Sequence, residues 1–133
     1  MKHLILFSLI FMSFFSVALA KGTAEITFKE TTHDFGSFPE DSTNLSCSFE
    51  FTNTGDGPLI IHQAIATCGC TIPKYPKEPI KPGESGIITV FYNSYGRPGH
   101  FYKSVTIRTN AKNDVTRLHI KGDMIPNEKS DKK

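Results

Sequence analysis

Apolar residues recur at every second position through most of this chain, and clusters of Gly, Pro, Asn and Asp cut the alternation into short runs. A period of two places successive side chains on opposite faces of an extended strand, whereas a helix would need a period near 3.6. From Ala24 onward no stretch carries the helical pattern. Leu45, Cys47, Phe49 and Phe51 alternate with Ser46, Ser48, Glu50 and Thr52, so one face of this strand turns to a core and the other to water. Leu118 and Ile120 likewise point one way, Arg117 and His119 the other.

Read in order, Ala24, Ile26 and Phe28 mark a first strand, followed by an irregular stretch from Thr31 to Asp41. The alternating run Leu45 to Phe51 comes next, closed by the turn Asn53-Thr54-Gly55-Asp56-Gly57-Pro58, where Pro58 lacks a ladder donor. A third strand, Leu59 to Ala66, is apolar at most positions and is expected to be covered on both sides. Between Thr71 and Glu84 four prolines (Pro73, Pro76, Pro79 and Pro82) remove backbone donors, which confines this stretch to a sheet edge or a loop. Pro82-Gly83-Glu84-Ser85 reads as a tight turn. Strands then follow at Gly86 to Asn93, Phe101 to Thr109 and Val115 to Gly122. About seven short strands in some 100 residues is the pattern of an immunoglobulin-like β-sandwich, an all-β fold.

Ahead of this domain, Lys2 precedes an uncharged stretch from Leu4 to Leu19, and Ala18-Leu19-Ala20 offers a small-x-small cleavage site before Lys21. That is a secretory signal over residues 1–20, and it predicts an exported, periplasmic or extracellular protein with no stable membrane span after cleavage. The domain is expected over 21–126, with a polar, disordered tail at 127–133. Removing 20 of 133 residues leaves 113, enough for one domain and one modest core. The mature charges are 14 basic against 13 acidic, scattered along the chain. No basic cluster tracks a phosphate backbone, so no nucleic-acid partner is expected.

Asn53-Thr54-Gly55, Pro58-Leu59, Cys68-Gly69-Cys70-Thr71, Pro82-Gly83-Glu84, Gly99 with Phe101, and Thr109-Asn110 resemble, in order and spacing, the bacterial secreted family called domain of unknown function 1573. That family is distantly similar to Hydin-type Ig-like domains. The resemblance runs from about Phe28 to Gly122 and implies an exported Ig-like fold. It implies no reaction.

Chemistry is concentrated in Cys68-Gly69-Cys70, at the end of the third strand and the head of the proline-rich stretch, with Gly69 allowing a tight bend. Three readings stay open. The pair is a dithiol that cycles with a disulfide, a soft-metal site for copper or zinc, or a structural element in which one sulfur bonds Cys47. By strand parity Cys47 faces the core as an inert thiol. His33, His62, His100 and His119 lack metal-ligand spacing; His62, six residues before Cys68, comes nearest. Asp34-Phe35-Gly36 spells a kinase tripeptide without the other kinase motifs, and its plainer reading makes Phe35 and Phe38 core plugs around a Gly36 turn. Asn44-Leu45-Ser46 has the form of a glycosylation sequon. Tyr75, Tyr92, Tyr95 and Tyr102 are candidates for an aromatic surface near the loops.

No nucleophile, base and orienting group stand together, so an enzyme is not expected. The leading reading is a non-enzymatic binding or structural module of the cell envelope, meeting another envelope or surface protein through a sheet edge or the loop after Cys70. The alternative is a thiol-redox or metal protein. Oligomeric state is not legible from these residues.

Overall fold

A computed structural model describes residues 22–127. The signal stretch at 1–20 and nearly all of the tail at 127–133 lie outside the described residues. Within them the chain forms eight strands and no helix: β1 (Ile26–Phe28), β2 (Thr32–Pro39), β3 (Asn44–Asn53), β4 (Ile61–Ala66), β5 (Thr71–Lys74), β6 (Ser85–Asn93), β7 (Gly99–Thr109) and β8 (Val115–Ile125). They make two four-stranded sheets, ordered β1-β3-β6-β5 and β2-β8-β7-β4. The immunoglobulin-like sandwich expected from the alternation is the fold observed.

The core is the inner face of both sheets. Phe49, Phe51, Ile88, Val90 and Tyr92 from one sheet meet Val105, Ile107, Leu118, Ile120 and Met124 from the other, all nearly inaccessible to solvent. Tyr92 stacks on Phe101 at 4.2 Å between centroids, and Phe38 closes on Phe101 from β2 at 6.1 Å. Parity in β3 holds for Cys47, Phe49 and Phe51; Leu45, at the strand's open end, is half-buried.

Two expectations need correction. The stretch Thr31 to Asp41 is not irregular, because Thr32–Pro39 pairs in parallel with β8. Its pattern is broken at a register shift between Asp34 and Ser37, where Gly36 adopts φ 66° and its N–H donates to Asp34 Oδ1 at 2.8 Å. A bulge of this kind throws the alternation out of phase. Phe35 and Phe38 pack inward on either side of it, Phe38 fully and Phe35 in part. Nor is the Leu59-to-Ala66 strand covered on both sides. β4 begins at Ile61 and is a sheet edge, with Ile65 47% exposed on its outer face. Leu59 instead bridges Ile80 through paired main-chain hydrogen bonds.

The proline-rich stretch does supply an edge strand. β5 carries Pro73 and pairs only with β6 in its sheet. The turn before β6 places Pro82 ahead of Gly83 at φ 82°, with Glu84 N–H donating to Lys81 O at 3.0 Å. Proline presets the first central position and glycine takes the positive φ of the second.

Candidate functional site

β4 ends one sheet and β5 ends the other, so Cys68-Gly69-Cys70 is where the chain crosses between the layers. The crossing is fixed by main-chain hydrogen bonds. Thr71 N–H donates to Cys68 O at 3.2 Å, Asn93 N–H to Cys70 O at 2.9 Å, and Thr67 N–H to Ser104 O at 3.1 Å. Each flank is therefore tied to a different sheet.

Within this crossing Cys68 and Cys70 form a disulfide, with Cα atoms 5.3 Å apart, inside the range such bonds require. Cys70 is buried, whereas Cys68 is half-buried. Cys70 N–H donates to Cys68 Sγ at 3.1 Å, and Thr71 Oγ1 lies 3.7 Å from Cys70 Sγ. Cys47 takes no part; it is a free, buried thiol that loss of hydration pushes up to about 11. A bond from Cys47 to the loop cysteines, one of the structural readings, is therefore not the pairing found.

Gly69 does not serve the bend that its sequence position suggests. Its φ is not positive, and a Cβ there would meet no atom within 4 Å. An alanine would fit both backbone and space. What glycine does at 69 is leave open the ground beside the sulfurs.

That ground is a groove of about 580 Å³, lined in part by Cys68, Gly69, Cys70, Ile72, Phe91 and Arg97. Ile72 and Phe91 are register partners across β5 and β6, and both face outward, 57% and 38% exposed. Ile87, farther along the same face of β6, is 53% exposed. The Lys74 ammonium sits over the Phe91 ring at 5.2 Å from the centroid, and Arg97, which lines the groove, donates from Nη1 to Tyr95 O at 3.2 Å. The result is a groove beside a sheet edge, in which Ile72 and Phe91 stand with polar Asn44, Ser46 and Asn93 and one cation, Arg97.

The other sequence candidates do not join it. His33 lies edge-on to Phe35, His100 pairs with Asp123 at 3.2 Å, and His119 stacks on Tyr102. His62 is exposed on β4, its carbonyl accepting from the Tyr75 hydroxyl at 3.4 Å. Among the described residues no three His, Cys, Asp or Glu side chains converge as metal ligands. A copper or zinc site would rest on the two sulfurs alone, which offer no thiolate while bonded to each other. The four tyrosines make no aromatic surface: Tyr92 is buried, Tyr75 is half-buried under Lys77, and Tyr95 and Tyr102 are exposed without ring contact to another of the set. Asn44 of the sequon is exposed at the groove's margin.

Sequence reasoning missed Ile72, Phe91 and Arg97. Both faces of β6 are apolar in sequence, Ile87 and Phe91 on one and Ile88, Val90 and Tyr92 on the other, so alternation alone did not say that one face lies open.

No curated protein matches the chain. Among solved structures, a protein of unknown function from Porphyromonas gingivalis W83 superposes with a TM-score of 0.67 at 20% identity, over 82% of this chain and 50% of that one. This chain thus spans half the length of that protein. The ASH / PapD-like domain 7 of human CEP192 gives 0.62 at 10% identity, over 80% and 89% of the two chains. The CupB2 chaperone of Pseudomonas aeruginosa gives 0.53 at 13%, over 74% and 55%. At such identities the likeness is one of fold. The family model described as "Protein of unknown function (DUF1573)" matches residues 26–124, and the chain belongs to that family.

Proposed function

We propose that this protein is an exported, non-enzymatic binding module of the cell envelope, which receives an extended segment of a partner protein along β5 and the groove beside Cys68 and Cys70. One observation carries the reading: an edge strand and an outward apolar row, Ile72 with Phe91, occupy the same spot. Along the free edge of β5 Pro73 has no N–H and the Thr71 N–H is held by Cys68 O, so the edge offers an added strand main-chain acceptors, and the apolar side chains beside it give that strand something to bury. Isolated exposed apolar residues are ordinary, but a row at a groove marks an interaction surface. The fold likeness to the CupB2 chaperone supports the same reading.

A photo-cross-linking residue in place of Ile72, in cells making the native protein, tests it. The expected result is one discrete cross-linked species that Phe91→Lys removes and the pair Cys68→Ser with Cys70→Ser retains. Diffuse labelling indifferent to Phe91→Lys would end the proposal. Export is checked by mass spectrometry, which should find a chain beginning at Lys21; Met1 retained in a membrane fraction would contradict it.

A further inference from the structure

We infer that the Cys68–Cys70 disulfide is reactive, and that a cysteine thiol on the polypeptide docked along β5 opens it by exchange on the folded protein. The inference rests on the docking reading above and adds the chemistry of the occupant.

Four observations converge. First, the bond closes a loop with only Gly69 between its cysteines, and a loop that short removes little entropy from the unfolded chain. Main-chain hydrogen bonds from Thr71, Asn93 and Thr67 already hold the crossing, so the bond adds little as a staple. Second, both cysteines line a groove, Cys68 half-buried and so the more accessible of them, Cys70 buried. Third, Gly69 is required by neither backbone conformation nor packing, and any side chain there would stand in the open space beside the disulfide. Fourth, each sulfur has a hydrogen-bonding group beside it: Cys70 N–H for Cys68 Sγ, and the Thr71 hydroxyl for Cys70 Sγ. Such donors favour a thiolate.

The step follows from these positions. A partner thiolate attacks Cys68 Sγ and forms a new S–S bond as the Cys68–Cys70 bond breaks. The electron pair leaves on Cys70 Sγ beside the Thr71 hydroxyl, and that sulfur then takes a proton from water. A partner with one cysteine stays attached through Cys68. A partner with a second thiol attacks its own sulfur in the mixed disulfide, which releases Cys68 as a thiolate beside the Cys70 N–H. That partner departs oxidised by two electrons, leaving Cys68 and Cys70 reduced. Each molecule does this once, as a stoichiometric exchange.

The test uses purified oxidised protein and three probes: reduced glutathione, an extended peptide with one cysteine flanked by apolar residues, and the same peptide with Ser for Cys. Acid-quenched digests should locate the mixed disulfide on Cys68, with the cysteine peptide at least ten-fold faster than glutathione at equal thiolate concentration. Gly69→Leu and Ile72→Lys, both at exposed positions, should slow the peptide ten-fold or more while circular dichroism stays unchanged. If the Ser peptide binds and the disulfide survives the cysteine peptide until denaturant unfolds the protein, exchange is refuted and docking stands. If the Ser peptide does not bind and the cysteine peptide is no faster than glutathione, exchange with a docked partner and the β5 docking reading fall together.

Discussion

β3 runs from Asn44, at the groove, to Asn53, at the far end of the sandwich, and its two ends are held by different means. At the far end three asparagines act as substitute backbone. Asn53, fully buried, donates from Nδ2 to Gly57 O at 2.8 Å and Ile80 O at 2.9 Å, and its Oδ1 accepts from Gly55 N–H at 3.1 Å. Asn110 accepts from Ile60 N–H at 2.8 Å and donates to Pro58 O at 2.9 Å, while Asn113 spans both main-chain groups of Ile26. At the groove end the chain crosses between sheets with a disulfide, an unneeded glycine and outward-facing Ile72 and Phe91. The far end closes its polar groups on itself; the groove end leaves apolar surface exposed beside a half-buried disulfide. Folding alone accounts for the first arrangement; the proposed binding role is what would account for the second.

The contrast predicts unequal costs. Asn53→Ala strands the buried Gly57 carbonyl and the part-buried Gly55 N–H, while Ile80 O keeps the Leu59 N–H; at about 1 to 3 kcal/mol for each unsatisfied group the loss should exceed about 2 kcal/mol in urea unfolding. Ile107→Ala or Phe49→Ala, between the two ends, should cost about 2 to 5 kcal/mol as cavity-forming deletions do; less than about half a kcal/mol would mean these side chains are not core.

Alkaline pH reports on Cys47. Its ordinary value of 9.0 rises to about 11 in the folded state, so the folded protein resists deprotonation that the unfolded chain accepts. The stability tied to this thiol is whole below pH 9 and falls away as pH rises to 11, by about 2 to 3 kcal/mol. Burial raises the Tyr92 phenol in the same direction, with Arg97 opposing. The stability slope between pH 9 and 11 should accordingly be shallower in Cys47→Ala than in the wild type; equal slopes would show that Cys47 is not buried as a thiol.

Smaller effects belong to the groove end. Cys68→Ser with Cys70→Ser should cost no more than about 1 to 2 kcal/mol, as expected for so short a loop. A loss above about 3 kcal/mol would make the disulfide a staple and erase the contrast between the ends.

Much of the scaffold could be read from alternation, because β3 and β8 bury one face and wet the other, and the proline-rich stretch could only be an edge. β2 escaped because its bulge at Gly36 shifts the phase and its partner, β8, lies nearly ninety residues downstream. β4 misled because apolar composition does not distinguish a covered strand from an edge. The site was legible only as a pair of cysteines. Its lining combines the groove end of β3, β5 and β6 with the cysteine crossing and Arg97 from the loop after β6, and no local pattern brings those together.

Cysteine reactivity in the folded protein tests the central contrast most directly. After brief reduction under native conditions, an alkylating reagent followed by peptide mapping should modify Cys68 or Cys70 well before Cys47, whose thiol is buried and held protonated. If Cys47 reacts first, or if the loop cysteines stay unmodified until the protein unfolds, the groove end is a packed corner like the other, and the account of it as the working end is wrong.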